Sequence, residues 1–428
     1  MKKFSLAVLT VLLGSFALYS CGGSENGDKS AANVEASVMD LPVEKRLELA
    51  KKYDFIAPFS DGLARAYISG WKNGKWGLID KTGKLVISCE YDAFDGFSEG
   101  LARVRIGDRV NGKCGFVDKT GKEVIPCVYD EASCFSDGLA RVRIGDRVNG
   151  KWGFVDKTGK EVIPCVYDEA GSFSDGLARV RIGDWKWGFI DKAGRLVIPC
   201  VYDGAWDFSD GLAPVNLNSK WGFIDKTGKE VIPCVYESAG RFSDGLASVD
   251  LKGCGVIDKT GKEVIPCKYS PLSVHFSEGL APVYIGGWGS KCGFIDKTNK
   301  VVIPCVYDQA WGFSDGLALV ELDGKFGYID KTGKEVIPCV YNWACDYIYC
   351  VYGFSDDGYP DRVYVDNLKW VELNGKVGVV DNTNKQIVPR LYDGVHYSGV
   401  GILVGKIVDS DGKVTQYYYD KNGDFLGN

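Results

Sequence analysis

One motif is written ten times along this chain of 428 residues, so it cannot fold as an ordinary domain around a single core. The unit reads F-S-D-G-L-A-x-V, then a loop of variable length, then K-W-G-F-I-D-K-T-G-K-E-V-I-P-C-V-Y-D. Anchored on the Asp of the D-K-T-G turn, copies fall at Asp80, Asp118, Asp156, Asp191, Asp225, Asp258, Asp296, Asp330, Asp381 and, in degenerate form, Asp420. The steps are 38, 38, 35, 34, 33, 38, 34, 51 and 39 residues, and the variation sits in the loop before the W-G pair and in one insertion over 342–370.

Each unit reads as β-strands with no helical period. In the third copy, Leu139 to Ile144 alternates apolar and charged residues, Trp152 to Asp156 is aromatic and β-branched, and Glu161 to Tyr167 is rich in Val, Ile and Tyr. Three antiparallel strands follow, with Asp168 to Phe173 available for a short fourth. The turn from Asp156 to Gly159 has Asp first and Gly fourth, which predicts a type I turn closed by a G1 bulge, since a two-residue I′ turn would force the β-branched Thr158 to positive φ. Pro164 and its equivalents (Pro126, Pro199, Pro233, Pro266, Pro304, Pro338, Pro389) remove a donor from the third strand, which must therefore be an edge or bend there. A unit of this size cannot bury its apolar face alone; it is stable only by stacking on its neighbours.

These residues resemble the WG repeat family, named for the pair seen here at Trp76-Gly77, Trp152-Gly153, Trp187-Gly188 and Trp221-Gly222. Elsewhere the Trp position holds Cys114, Cys254, Cys292, Phe326 or Val377, so the aromatic is a packing preference. The resemblance covers 59–425 and implies an all-β repeat module of exported bacterial proteins, with no activity attached. The fold expected is an all-β tandem array of about ten antiparallel hairpin or three-strand repeats. Ten units exceed the four to eight blades of typical closed propellers, which favours an open curved solenoid over the alternative, a closed propeller-like ring.

The N-terminus carries an address. Lys2 and Lys3 precede an apolar run to Leu18, too short for a membrane span, and Leu18-Tyr19-Ser20-Cys21 resembles a bacterial lipobox in which Cys21 is lipidated. Residues 1–20 then form a lipoprotein signal peptide, 21–40 a polar tether, 41–58 a short helical cap and 59–425 the repeat array. Losing two lysines leaves 49 basic against 57 acidic residues, a net charge of −8, so lipid and not surface charge would hold the chain to a bilayer. The expected location is the bacterial cell envelope, lipid-anchored in the outer membrane. The acidic balance gives no reason to expect a nucleic-acid partner.

Cysteine is frequent, with fourteen residues beyond Cys21, eight of them at the I-P-C position. No C-x-x-C and no His at ligand spacing accompany them, so neither a metal nor a cofactor is expected. Three pairs thirteen residues apart (Cys114 and Cys127, Cys254 and Cys267, Cys292 and Cys305) would face each other across a two-residue turn; across the bulged turn their side chains separate, and the thiols read as small buried apolar groups.

In units two to four the first strand is L-A-R-V-R-I, so Arg103, Arg105, Arg141, Arg143, Arg179 and Arg181 share one face and form a guanidinium stripe suited to an anionic partner. The insertion brings Trp343, Tyr347, Tyr349 and Trp370, aromatics of the kind that meet sugars or proteins. Two histidines, His275 and His396, lie far apart, and the recurrent aspartates have turn roles, so no catalytic residues are expected. The reading is a non-catalytic binding or scaffold module for a protein or glycan partner. Its alternatives are an enzyme or accessory subunit acting on envelope polysaccharide and a spacer without a ligand.

Overall fold

The computed structural model describes residues 41–57, 59–68, 74–108, 110–183, 185–269, 276–284, 290–354, 360–364 and 367–428, with the side chains of 347–354 and 360–364 left aside. The signal peptide, the tether and Cys21 lie outside the described residues. Among the described residues, nine four-stranded antiparallel sheets and one three-stranded sheet follow one another along the chain, each made by one repeat, with a separate two-stranded hairpin from the insertion. Each sheet is a blade. In the third, Glu131–Ala132, Leu139–Ile144, Lys151–Asp156 and Glu161–Tyr167 pair in chain order as a simple meander.

The fourth strand that the pattern left open therefore exists, but it opens the unit in nine blades among the described residues and is two residues long in five of them. Where it occurs, the I-P-C strand closes its blade as the free edge, where the missing proline donor costs no ladder bond. The turn has the expected form: Gly159 N–H donates to Asp156 O at 2.9 Å, Asp156 N–H donates to Lys160 O at 3.0 Å, and Gly159 sits at φ +83°. Asn299 and Asn384 replace that glycine at φ +66°, as Asn tolerates the left-handed region. The Asp156 carboxylate accepts from Thr158 N–H, Thr158 Oγ1 and Lys160 N–H.

Beyond the turn the register slips, with Phe154 opposite Ile163 but Trp152 opposite Tyr167, so the backbone around Pro164 bulges over Gly153. A Cβ on Gly153 would stand 2.5 Å from Ile163 O and 2.7 Å from Cys165 N. The glycine of the W-G pair is thus a steric requirement of the bulge, repeated at Gly77, Gly115, Gly188, Gly222, Gly255, Gly293 and Gly327.

No blade has a core of its own. Leu139, Trp152, Phe154 and Ile163 of the third blade pack on Ala170, Phe173, Val180 and Ile190 of the fourth, and the same exchange recurs along the chain. Polar clips join blades as well: Ser136 Oγ donates to Phe173 O at 2.7 Å, and Gly176 N–H donates to Asp137 Oδ2 at 2.8 Å.

The array closes on itself, which corrects the preference for an open solenoid. Tyr53, Ile56, Phe59, Ala64 and Ile79 of the first blade share a core with Val400, Ile402, Val404 and Tyr418 of the last. Ile56 N–H donates to Ser398 O at 3.0 Å, so the ten blades form a propeller-like ring. Copy number misled because it was weighed against typical rings, whereas the apolar faces of both terminal blades need each other. The helix Val43–Lys52 lies across this seam, with Leu49 in the shared core and buried Arg46 donating to Gly401 O at 3.4 Å.

Candidate ligand cleft

A meander sets the connections at two ends. The F-S-D-G and D-K-T-G turns share one end of every blade; the variable loop and the V-Y-D link share the other. At the variable-loop end the arginines form two rows with different partners. In the first row, Arg103 is 4% exposed, bonds Asp95 through Nε at 2.6 Å and donates from Nη1 to Ala132 O at 2.9 Å. Arg141 donates to Ala170 O, and Arg179 donates to Ala205 O at 2.6 Å with Asp207 at 2.9 Å. Each spans to the opening strand of the next blade, as Arg65 does to Phe94 O. The stripe thus divides: Arg103, Arg141 and Arg179 make inter-blade contacts.

In the second row, Arg143 pairs with Glu131 at 2.7 Å and Arg181 with Glu169 at 2.6 Å, while Nε of Arg105 and of Arg143 are buried without hydrogen-bond partners. Between the third and fourth blades Arg141, Arg143, Arg147 and Arg179 line a cleft of about 260 Å³ with Trp152, Trp187, Asp168 and Glu169. Arg141 stacks over Trp152 at 4.6 Å and Arg179 over Trp187 at 4.8 Å, so the indoles hold the guanidinium planes in place. Asp168, bonded by Lys151 and by Gly183 N–H, is held below the usual carboxylate range and stays ionised. Four guanidiniums against two carboxylates leave the cleft cationic. Sequence reasoning passed over Arg147, whose only signal was its place in a loop next to the stripe.

The insertion divides. Trp343 is 41% exposed, whereas Trp370 is 2% exposed, a core residue of the ninth blade packed with Tyr392 and Leu403, and so is corrected as a surface candidate. The backbones of Tyr347 and Tyr349 belong to the hairpin strand Tyr347–Phe354; their side chains, like that of Cys350, lie outside the described residues. No disulfide joins any two of the thirteen described cysteines, and the bulge register sets Cys114, Cys254 and Cys292 opposite Tyr129, Tyr269 and Tyr307 and not opposite cysteine. Cys165 Sγ instead lies across Gly153 toward Val142 O at 3.8 Å. Burial and then Glu161 push its thiol up to about 11. Among the described residues no group of three His, Cys, Asp or Glu side chains is placed to hold a metal ion.

The sequence profile of the WG containing repeat matches nine successive segments between residues 47 and 350. The chain belongs to the WG repeat family. No curated protein matches the sequence. Among solved structures, the WG-repeat ring is similar to a eukaryotic initiation factor (12% identity, 77% of this chain and 95% of that one, TM-score 0.42). It is similar also to BamB from Moraxella catarrhalis (12%, 77% and 93%, TM-score 0.31) and to Pyrococcus horikoshii acylaminoacyl peptidase (9%, 65% and 58%, TM-score 0.30). Likeness of this degree assigns no activity. Within the WG-repeat ring the family's own signature has a structural meaning: Gly makes the bulge possible, and Trp152 fills the interface beside it.

Proposed function

We propose that this WG-repeat ring is a non-catalytic binding module, held at the bacterial cell envelope through a lipid on Cys21, whose cleft between the third and fourth blades receives an anionic group of a protein or glycan partner. One observation carries the reading. Arg143 lines the cleft together with Arg141, Arg147 and Arg179, four guanidiniums against the carboxylates of Asp168 and Glu169, a surplus of charged donors that a bound carboxylate or phosphate would meet. Arg147 at the mouth is exposed and supplies a second charge. Calorimetric titration of the full chain with citrate and inorganic phosphate tests this. Arg143→Gln with Arg147→Gln weakens binding about tenfold or more while circular dichroism shows the chain still folded at the assay temperature; no binding by the native chain, or equal binding by the variant, removes the reading. The anchor has its own test: Cys21→Ser shifts the protein from the membrane to the soluble fraction of its bacterial host, and a variant that stays membrane-bound refutes lipidation.

A further inference from the structure

Among the described residues, the three most exposed large apolar side chains are Val110 at 82%, Val148 at 89% and Trp185 at 74%. All three stand in the same variable loop of three successive blades, the second, third and fourth. Ile106, Ile144 and Ile182, at the end of the preceding strand or just beyond it, are about half exposed beside them. None of the six belongs to a core cluster that would explain it. Trp185 also holds φ +61°, a left-handed conformation unfavourable for a bulky side chain, with the Arg181 guanidinium 4.3 Å over its ring. Apart from that guanidinium contact, the indole gains no burial in the folded chain to offset the cost. In the fifth, sixth, eighth and ninth blades the loop contracts to tight turns at Asn218–Ser219, Lys252–Gly253, Asp323–Gly324 and Asn374–Gly375.

We infer that the variable-loop end of blades two to four is a docking surface for an acidic peptide segment of a partner protein that also carries bulky apolar side chains; the inference rests on the anionic reading of the cleft. Charge complementarity selects the acid: the four cleft arginines outnumber the cleft's two carboxylates, so a negatively charged segment is attracted there. The apolar tips select the rest, since guanidinium groups alone would bind any anion, whereas loops on three blades need an extended partner whose apolar residues cover them. A membrane is the weaker occupant. The helix Val43–Lys52 packs Leu49 against Gly83 of a D-K-T-G turn, at the end of the blades opposite these loops.

Random linear peptides displayed on phage are selected against the full chain. The enriched peptides combine Asp or Glu with Trp, Phe, Leu or Ile, and the best of them, synthesised, binds Val110→Ser/Val148→Ser/Trp185→Ser at least about tenfold more weakly at an unchanged Tm. Arg143→Gln weakens the same peptide. Enrichment of neutral or basic peptides, no enrichment, or unchanged binding by the triple variant overturns the inference. So does binding to phosphatidylglycerol vesicles that the triple variant loses, which would make the loops a membrane contact. If peptides fail while citrate or phosphate still binds through Arg143, the docking surface falls and the anionic cleft stands; if both fail, both fall.

Discussion

At Gly153 the bulged I-P-C backbone passes so close that a methyl group meets a carbonyl oxygen at 2.5 Å and an amide nitrogen at 2.7 Å, neither of which can rotate away. Gly153→Ala is expected to lower stability by roughly 1–3 kcal/mol, the cost of overpacking a rigid site. Trp152→Phe, which installs the aromatic that unit eight carries at Phe326, should cost less; equal urea midpoints for the two variants would show that close approach is not what the glycine provides. The thiol across that glycine gives a second expectation. Cys165, Cys234, Cys267 and Cys339 are each pushed up to about 11, by burial first and then by the nearby glutamate. At pH 8 they stay protonated, so iodoacetamide should label the native chain on the order of a hundredfold more slowly than the urea-unfolded chain. Comparable rates would mean that the blade edges open readily.

Blades are joined by small recurrent contacts, and the F-S-D-G turn holds two of them: Ser136 Oγ to Phe173 O at 2.7 Å and Gly176 N–H to Asp137 Oδ2 at 2.8 Å. Ser136→Ala with Asp137→Ala leaves a carbonyl and an amide of the fourth blade without partners, and about 1–2 kcal/mol of stability should go. Amide hydrogen exchange should accelerate in both the third and fourth blades; acceleration confined to the third would mean that blades melt singly. Sequence disclosed three of the four strands because each is long enough to show an alternating period. The opening strand, Glu131–Ala132, is two residues long, too short for any period, and is fixed by pairing with Val142 and Arg143. The cleft was half legible for a related reason. The two-residue period put Arg141 and Arg143, like Arg179 and Arg181, on one face, but it could not reveal that Arg141 and Arg179 would be spent on Ala170 O and Ala205 O. Those partners belong to the neighbouring blade, and the Gly153 contact likewise depends on a bulge that appears only once the strands pair.

At the scale of the whole molecule the seam between first and last blades is the one interface that sequence neighbours do not supply, and it carries a titratable group. His396, on the last blade, is pushed down from 6.5 to about 4, first by burial and then by the Lys406 ammonium, with Asp54 of the first blade opposing the shift. Lys406 is itself pushed down by burial, again against Asp54. Between pH 6.5 and about 4 the unfolded chain binds a proton at His396 that the closed ring does not, so stability must fall as pH drops through this window and level off below it. The full shift corresponds to roughly 3 kcal/mol, and partial exposure of the ring edge brings the expected loss to about 1–3 kcal/mol. Aspartates held below their ordinary value, such as Asp130 paired with Lys113 and Asp393 paired with Lys376, lose their contribution only at still lower pH, so the windows separate. Urea unfolding of the native chain and of His396→Gln at pH 7, 5.5 and 4.5 should give a variant whose stability is flatter with pH by that amount. Parallel curves would show that the imidazole titrates freely and that the seam does not desolvate it.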